Sequence, residues 1–238
     1  AKSRRHAVLV AYTPRTALLA SPGRKIFRVS PRVLLTGAGL AFDVKQVANS
    51  AFEFASSHLQ LYGSDMPCGR LATKLADMMH AQTTSTEGRP LAARMLLAGY
   101  DETNHASLFE VDPMGNLRSC KMMAVGMHSS IINASLLRAI KQRRLTENSS
   151  ISAITETCIQ ALKAALNAGN NDDGGPQLCN ADNVQMAIVG EGVEAHVLER
   201  EQVASMLEGG EKAWDNIIAS DEARAVRNKT PAEPVMSV

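Results

Sequence analysis

Met95-Leu96-Leu97-Ala98-Gly99-Tyr100-Asp101, preceded by Gly88-Arg89-Pro90 and followed by Phe109-Glu110-Val111-Asp112-Pro113-Met114-Gly115-Asn116, is the stretch on which the fold turns. It holds one short apolar run over residues 92–98 and a second over residues 107–111. Short apolar runs bounded by turn residues suit strands buried in a core. Pro113 and Gly115 mark a tight hairpin turn, because proline presets one backbone angle and glycine accepts the uncommon one. Residues 92–98, 107–111 and 117–125 therefore read as consecutive strands.

Working outward, the amino-terminal side begins with Ala7-Val8-Leu9-Val10-Ala11, an apolar run suited to a strand buried on both faces. Pro14 breaks it, Ala17-Leu18-Leu19-Ala20 resumes, and Ser21-Pro22-Gly23 is a turn by composition. Ile26, Phe27 and Val29 suggest a strand, Val33-Leu34-Leu35 another, and Gly37 and Gly39 end the block. The reading is four short strands joined as hairpins. After Asp43 the period changes. Val44, Val47, Ala48, Ala51, Ala55 and Leu59 recur at three-and-four spacing, the mark of an amphipathic helix. Asp43 is the expected N-cap, since its carboxylate can accept from a free backbone N–H, and Gly63 is the expected stop. A second helix is predicted over residues 70–82, with Leu71, Leu75, Met78 and Met79 on one side.

On the carboxyl side, helices are predicted over residues 129–144 and 150–167, the first closed by Lys141, Arg143 and Arg144. Cations there complement the helix dipole. Residues 167–176 are polar and glycine-rich and read as a loop. A hairpin over residues 184–189 and 193–198 surrounds Gly190-Glu191-Gly192, and a last helix covers residues 201–207. Strands and helices come in segregated runs, which indicates α+β. Two sheets sandwiched between helix pairs bury every apolar face, so the expected fold is a four-layer αββα sandwich over residues 1–219. Residues 220–238 are polar with Pro231 and Pro234 and read as a disordered tail.

Composition narrows the function. The 238 residues carry a net charge of +1, so the whole molecule has no strong electrostatic preference. The distribution is uneven: no Asp or Glu precedes Asp43, while Lys2, Arg4, Arg5, Arg15, Arg24, Lys25, Arg28 and Arg32 do. That end should attract carboxylates or phosphates. Only Tyr12 and Phe27 interleave with these charges, too few for a base-stacking platform. Cys68, Cys120, Cys158 and Cys179 have no metal-like spacing, and the six histidines form no i,i+4 pair. Free thiols in a reducing compartment and no metal are the expectation. No cofactor is expected, since no phosphate-binding loop is present and Met78, Met79, Met122 and Met123 suit packing. No apolar run approaches the ~20 residues a membrane helix needs, and residues 7–11 are too short for a signal-peptide core. An intracellular, soluble protein is expected.

The order of elements and several runs within it resemble the alpha-type subunits of the 20S proteasome. Gly88-Arg89-Pro90 with Met95 to Asp101 is similar to their G-x-R-P-x-G-V and L-x-x-A-G-x-D runs. Phe109 to Asn116 is similar to the strand and D-P-x-G-N turn that follow, and Lys121 with Ala124 to Gly126 fits the next K-A-x-x-I-G stretch. The resemblance spans residues 5–207, and residues 2–11 are most similar to the eukaryotic subunit type at the sixth ring position, alpha type 1. Ala92 departs from the pattern, standing where the family has the second glycine of R-P-x-G. The family's gate tail and its first helix, with a Q-V-E-Y-A-x-E-A signature, are not among these residues.

The resemblance implies a non-catalytic structural subunit that supports ring assembly, substrate gating and activator docking in ubiquitin-dependent protein degradation, in cytoplasm and nucleus. The implied partners are neighbouring alpha subunits, the underlying beta ring, and the carboxyl termini of a regulatory particle or other activator, with no membrane and no nucleic acid. Catalytic beta subunits use an amino-terminal Thr whose own amine is the base. Here Ala1 offers no nucleophile, Thr13 and Thr16 are internal, and no acidic residue lies on the first hairpin. No catalytic residue is assigned. Lys25 and Gly39 fall where the family has its activator pocket. A Lys ammonium there can pair with a terminal carboxylate, worth roughly 1.5–3 kcal/mol when partly desolvated, and a glycine lets an incoming backbone approach. Two other readings remain at this point: an active amino-terminal nucleophile peptidase, and a basic nucleic-acid-binding module.

Overall fold

A computed structural model describes residues 1–14, 23–86, 88–169 and 179–208. Strands β1 (His6–Tyr12), β2 (Ile26–Ser30) and β3 (Val33–Gly39) lead into helices α1 (Ala41–Tyr62) and α2 (Cys68–Thr84). Strands β4 (Ala93–Asp101), β5 (His105–Val111) and β6 (Leu117–Ser119) follow, then α3 (Ser129–Lys141) and α4 (Ile151–Gly169). Strands β7 (Val184–Gly190) and β8 (Val193–Val197) and helix α5 (Arg200–Leu207) complete the order. The strands form two antiparallel sheets, β1-β7-β8 and β2-β3-β4-β5-β6.

The period-two alternation of each strand sorts its side chains into layers. Val33 and Leu35 of β3 and Met95 and Leu97 of β4 pack against Val47, Ala51, Leu71, Leu75 and Met79 of α1 and α2. Val8, Met186 and Ile188 pack on the other outer side against Ile154 and Leu162 of α4, Ala139 of α3, and Val203 and Met206 of α5. Between the sheets lie Leu9, Leu34, Leu108 and Val189 with the small residues Ala7, Ala98, Ala106, Ala187 and Ala195. These three cores are the interfaces of a four-layer αββα sandwich, as the segregated pattern predicts. The unbroken run at residues 7–11 is explained: Val8 serves a helix layer, while Ala7, Leu9 and Ala11 serve the inter-sheet layer.

The structure differs from the sequence expectations in five places. Leu59, read as part of the apolar stripe of α1, is exposed, and His58 is buried in its stead. Asp43 does not cap α1. The cap is Leu40, with no side-chain bond, and Asp43 sits buried within the first turn. The run over residues 117–125 stays in the ladder only to Ser119. Beyond it, the Lys121 carbonyl accepts from Lys2 N–H at 3.0 Å. The Asn133 side chain takes both the N–H (2.8 Å) and the carbonyl (3.1 Å) of Ala124, so strand partners are replaced. Helix α3 ends at Lys141, and Arg143 follows in the left-handed region (φ 56°), so Arg143 and Arg144 lie past the helix they were expected to close. Helix α4 runs on to Gly169, later than the expected loop start. Gly63 does stop α1, left-handed at φ 66° with its N–H on Leu59 O. The predicted strand at residues 17–20, Arg15, Thr16, the turn residues 21–22, loop residues 170–178 and the tail lie outside the described residues.

Candidate functional site

Strands β2 and β3 pair with Ile26 opposite Thr36, which brings the start of β2 and the end of β3 to one end of the hairpin. Lys25 precedes β2 and Gly39 closes β3, so the two residues singled out in the sequence share that end. Strand β2 is an edge of its sheet: among the described residues no strand pairs with its outer side.

Lys25 is half-buried and held at three points. Its backbone N–H donates to Gln185 Oε1 at 2.9 Å, its carbonyl accepts from Thr36 Oγ1 at 2.8 Å, and its Nζ donates to the Tyr12 carbonyl at 2.7 Å. Burial lowers its pKa from the ordinary lysine value. An ammonium carries three N–H bonds, so one carbonyl does not exhaust it. A further anionic acceptor would restore solvation that burial removes.

Gly39 is exposed, with φ at 138°, a value that L side chains rarely adopt. A Cβ there would lie 2.0 Å from the Ala92 carbonyl oxygen. The same oxygen accepts from Leu40 N–H at 2.8 Å. Glycine is therefore needed first by this chain itself, to let the residue ahead of β4 pass, whatever else approaches.

Next to it lies a pair that sequence reading missed. Arg89 reaches Asp43 with both terminal nitrogens, Nη1 to Oδ2 at 2.7 Å and Nη2 to Oδ1 at 2.6 Å. Ala92 N–H also donates to Oδ2, at 2.8 Å. The Arg89 hydrogen bonds hold the Asp43 carboxyl below the usual aspartate value, against the opposing effect of desolvation. This fork-to-carboxylate geometry ties the start of α1 to the segment that crosses Gly39. Both residues were visible in the sequence, one as a cap and one inside a motif, but 46 positions separate them and no local pattern couples them. Gln185, which bonds the Lys25 backbone, carried no sequence signal either.

The chemistry of the alternative readings finds little support in the geometry. The Thr13 hydroxyl is buried with no hydrogen-bond partner among the described residues, and inside the chain its own nitrogen is a peptide N–H rather than the free amine that serves as base. Among the described residues no group of three or more His, Cys, Asp or Glu could hold a metal ion, and no helix is long and apolar enough to cross a membrane. Much of the basic amino-terminal charge is engaged within the chain. Lys2 Nζ donates to Ala106 O, Arg5 pairs with Glu191, Arg28 with Glu194 and Arg32 with Glu102.

A family model described as "Proteasome subunit" matches residues 1–189. The chain is 29% identical to "Proteasome subunit alpha type-1" of Dictyostelium discoideum over 198 residues, 83% of this chain and 76% of that protein. It is 31% identical to "Proteasome subunit alpha type-6" of Caenorhabditis elegans over 64% of this chain and 61% of that one. It is 26% identical to "Proteasome subunit alpha type-2" of Oryza sativa subsp. indica over 78% of this chain and 72% of that one.

Proposed function

The chain belongs to the proteasome subunit family, and on that premise we propose that it is a non-catalytic alpha-type subunit in the outer ring of a 20S proteasome. The carrying observation is the family match over residues 1–189, with alpha-type relatives on an αββα frame. Its role is structural. It supports ring assembly, restricts substrate entry and receives activators in intracellular protein degradation, with cytoplasm and nucleus as its proposed locations. Its partners are neighbouring alpha subunits and the underlying beta ring. Types 1, 2 and 6 match at similar identity, so alpha type 1 rests mainly on the resemblance at residues 2–11.

Within that role, Lys25 is the anchor for the carboxyl terminus of a regulatory particle. A half-buried ammonium beside the edge strand β2, with N–H bonds beyond the one given to Tyr12, supports this reading. Gly39 is its proposed neighbour in the pocket, exposed at the same end of the hairpin, where a glycine lets an incoming backbone approach.

Native mass spectrometry of the tagged chain, recovered from its source cells, tests the main proposal. A multi-subunit particle containing peptidase subunits is expected. A lone chain, under conditions that keep proteasomes intact, would refute it. For the anchor, Lys25→Ala should weaken activator association and leave ring assembly unchanged. Wild-type association in an assembled Lys25→Ala particle would remove Lys25 from the pocket.

A further inference from the structure

We infer that Gln185 is the positioning residue of the Lys25 site: its side-chain amide fixes the backbone ahead of β2 so that the Lys25 ammonium faces an incoming carboxylate. This rests on the docking role of Lys25 proposed above and names what makes that role possible.

Gln185 lies on β7, in the other sheet, opposite Ala11 of β1. From there its amide crosses to the segment entering β2. Oε1 accepts from Lys25 N–H at 2.9 Å and from Ile26 N–H at 3.4 Å, and Nε2 donates to the Gly23 carbonyl at 3.0 Å. One primary amide, with an acceptor at one end and donors at the other, satisfies three backbone groups of one short segment. The network also sets the amide's orientation. A flipped amide would place its donors against two N–H groups and its oxygen against a carbonyl.

The second tether starts beside the first. Tyr12, whose carbonyl accepts from Lys25 Nζ, is the next residue along β1 from Ala11, the partner of Gln185. The three-stranded sheet thus holds Lys25 at both ends of its side chain, the root through Gln185 and the tip through Tyr12. Lysine has a flexible stem whose freedom opposes binding. Fixing the root reduces what an arriving carboxylate must order, and it sets the direction in which the remaining N–H bonds point. Residues 26 and 185 are 159 positions apart, so only the stacking of the two sheets creates this arrangement.

The test uses assembled particles carrying wild-type chain, Lys25→Ala or Gln185→Met. Methionine keeps the length and bulk of glutamine and removes its hydrogen bonds. The probe is a short activator carboxyl-terminal peptide bearing a photo-crosslinker, made as the free acid and as the carboxyl-terminal amide. Crosslinks to this chain are counted by mass spectrometry. Wild-type particles should prefer the acid, Lys25→Ala should abolish the preference, and Gln185→Met should cut it about fivefold. A general loss of folding or assembly lowers both peptides alike and leaves the acid-to-amide ratio unmoved.

If Lys25→Ala keeps the wild-type preference, the docking reading falls and this inference with it. If Lys25→Ala abolishes it and Gln185→Met does not reduce it, the positioning role alone is overturned. Hydrogen exchange on wild-type particles needs no variant. The Lys25 and Ile26 amides should be protected, and exchange at the rate of open amides would overturn the clamp.

Discussion

Replacing Gly39 by alanine should destabilise the fold more than replacing a glycine of ordinary left-handed conformation, and the difference can be worked from the structure. At φ 138° an L side chain is strained wherever there is space, at about 1–3 kcal/mol for a glycine-favouring region. Space is also lacking. The new Cβ would lie 2.0 Å from the Ala92 carbonyl oxygen, 2.9 Å from its carbon and 3.0 Å from Ala93 Cα, all backbone atoms. The backbone ahead of β4 must retreat, breaking the Leu40-to-Ala92 hydrogen bond, worth about 1 kcal/mol. The sum is about 3 kcal/mol, or roughly 6–12 °C in Tm for a chain of this size. Gly63 is the control: φ is 66° with nothing within 4 Å, so alanine there costs only about 1–2 kcal/mol of torsional strain. Thermal unfolding of the two purified variants, followed by circular dichroism against wild type, measures both. Equal Tm losses for Gly39→Ala and Gly63→Ala would refute the reasoning, because the close approach of Ala92 would then carry no energy.

Two further outcomes are expected. The folded state holds Asp43 ionised to lower pH than the unfolded chain does, so its contribution is complete above the unfolded aspartate value of about 3.9 and lost as pH falls through it toward the folded value. Asp43→Asn should therefore lower the urea midpoint at neutral pH and flatten its fall below about pH 4; parallel wild-type and variant profiles would contradict the Arg89 pairing. Burial pushes the Cys68 thiol up to about 12, so native alkylation at mildly basic pH should spare it, and stoichiometric labelling of Cys68 in folded protein would show that the α2–sheet core opens.

Helix α1 illustrates what local pattern settles. The spacing from Val44 to Ala55 and the stop at Gly63 depend only on residues within a few turns of each other, and the structure reproduces both, whereas Leu59 is exposed and His58 is buried in its stead. The same holds for the Asp112-to-Asn116 turn, where the Asp112 carboxylate accepts from Met114 N–H and Asn116 N–H. Asp43 shows where local reading stops. An acidic residue at a helix start is by itself a cap, and only a partner from 46 positions away turns it into a buried ion pair. Residues 121–125 fail for the same reason: their apolar content suits a strand, but Lys2 takes the Lys121 carbonyl and Asn133 takes both backbone groups of Ala124.

From sequence alone came the element types, the α+β layering and, by resemblance, the family and the two residues Lys25 and Gly39. The tertiary structure decided what those residues touch: Tyr12 and Gln185 around Lys25, Ala92 over Gly39, and Arg89 on Asp43. Periodicity and turn chemistry are written among chain neighbours. The contacts of a site are set by how two sheets stack, which burial over the whole chain determines and no single stretch of it encodes.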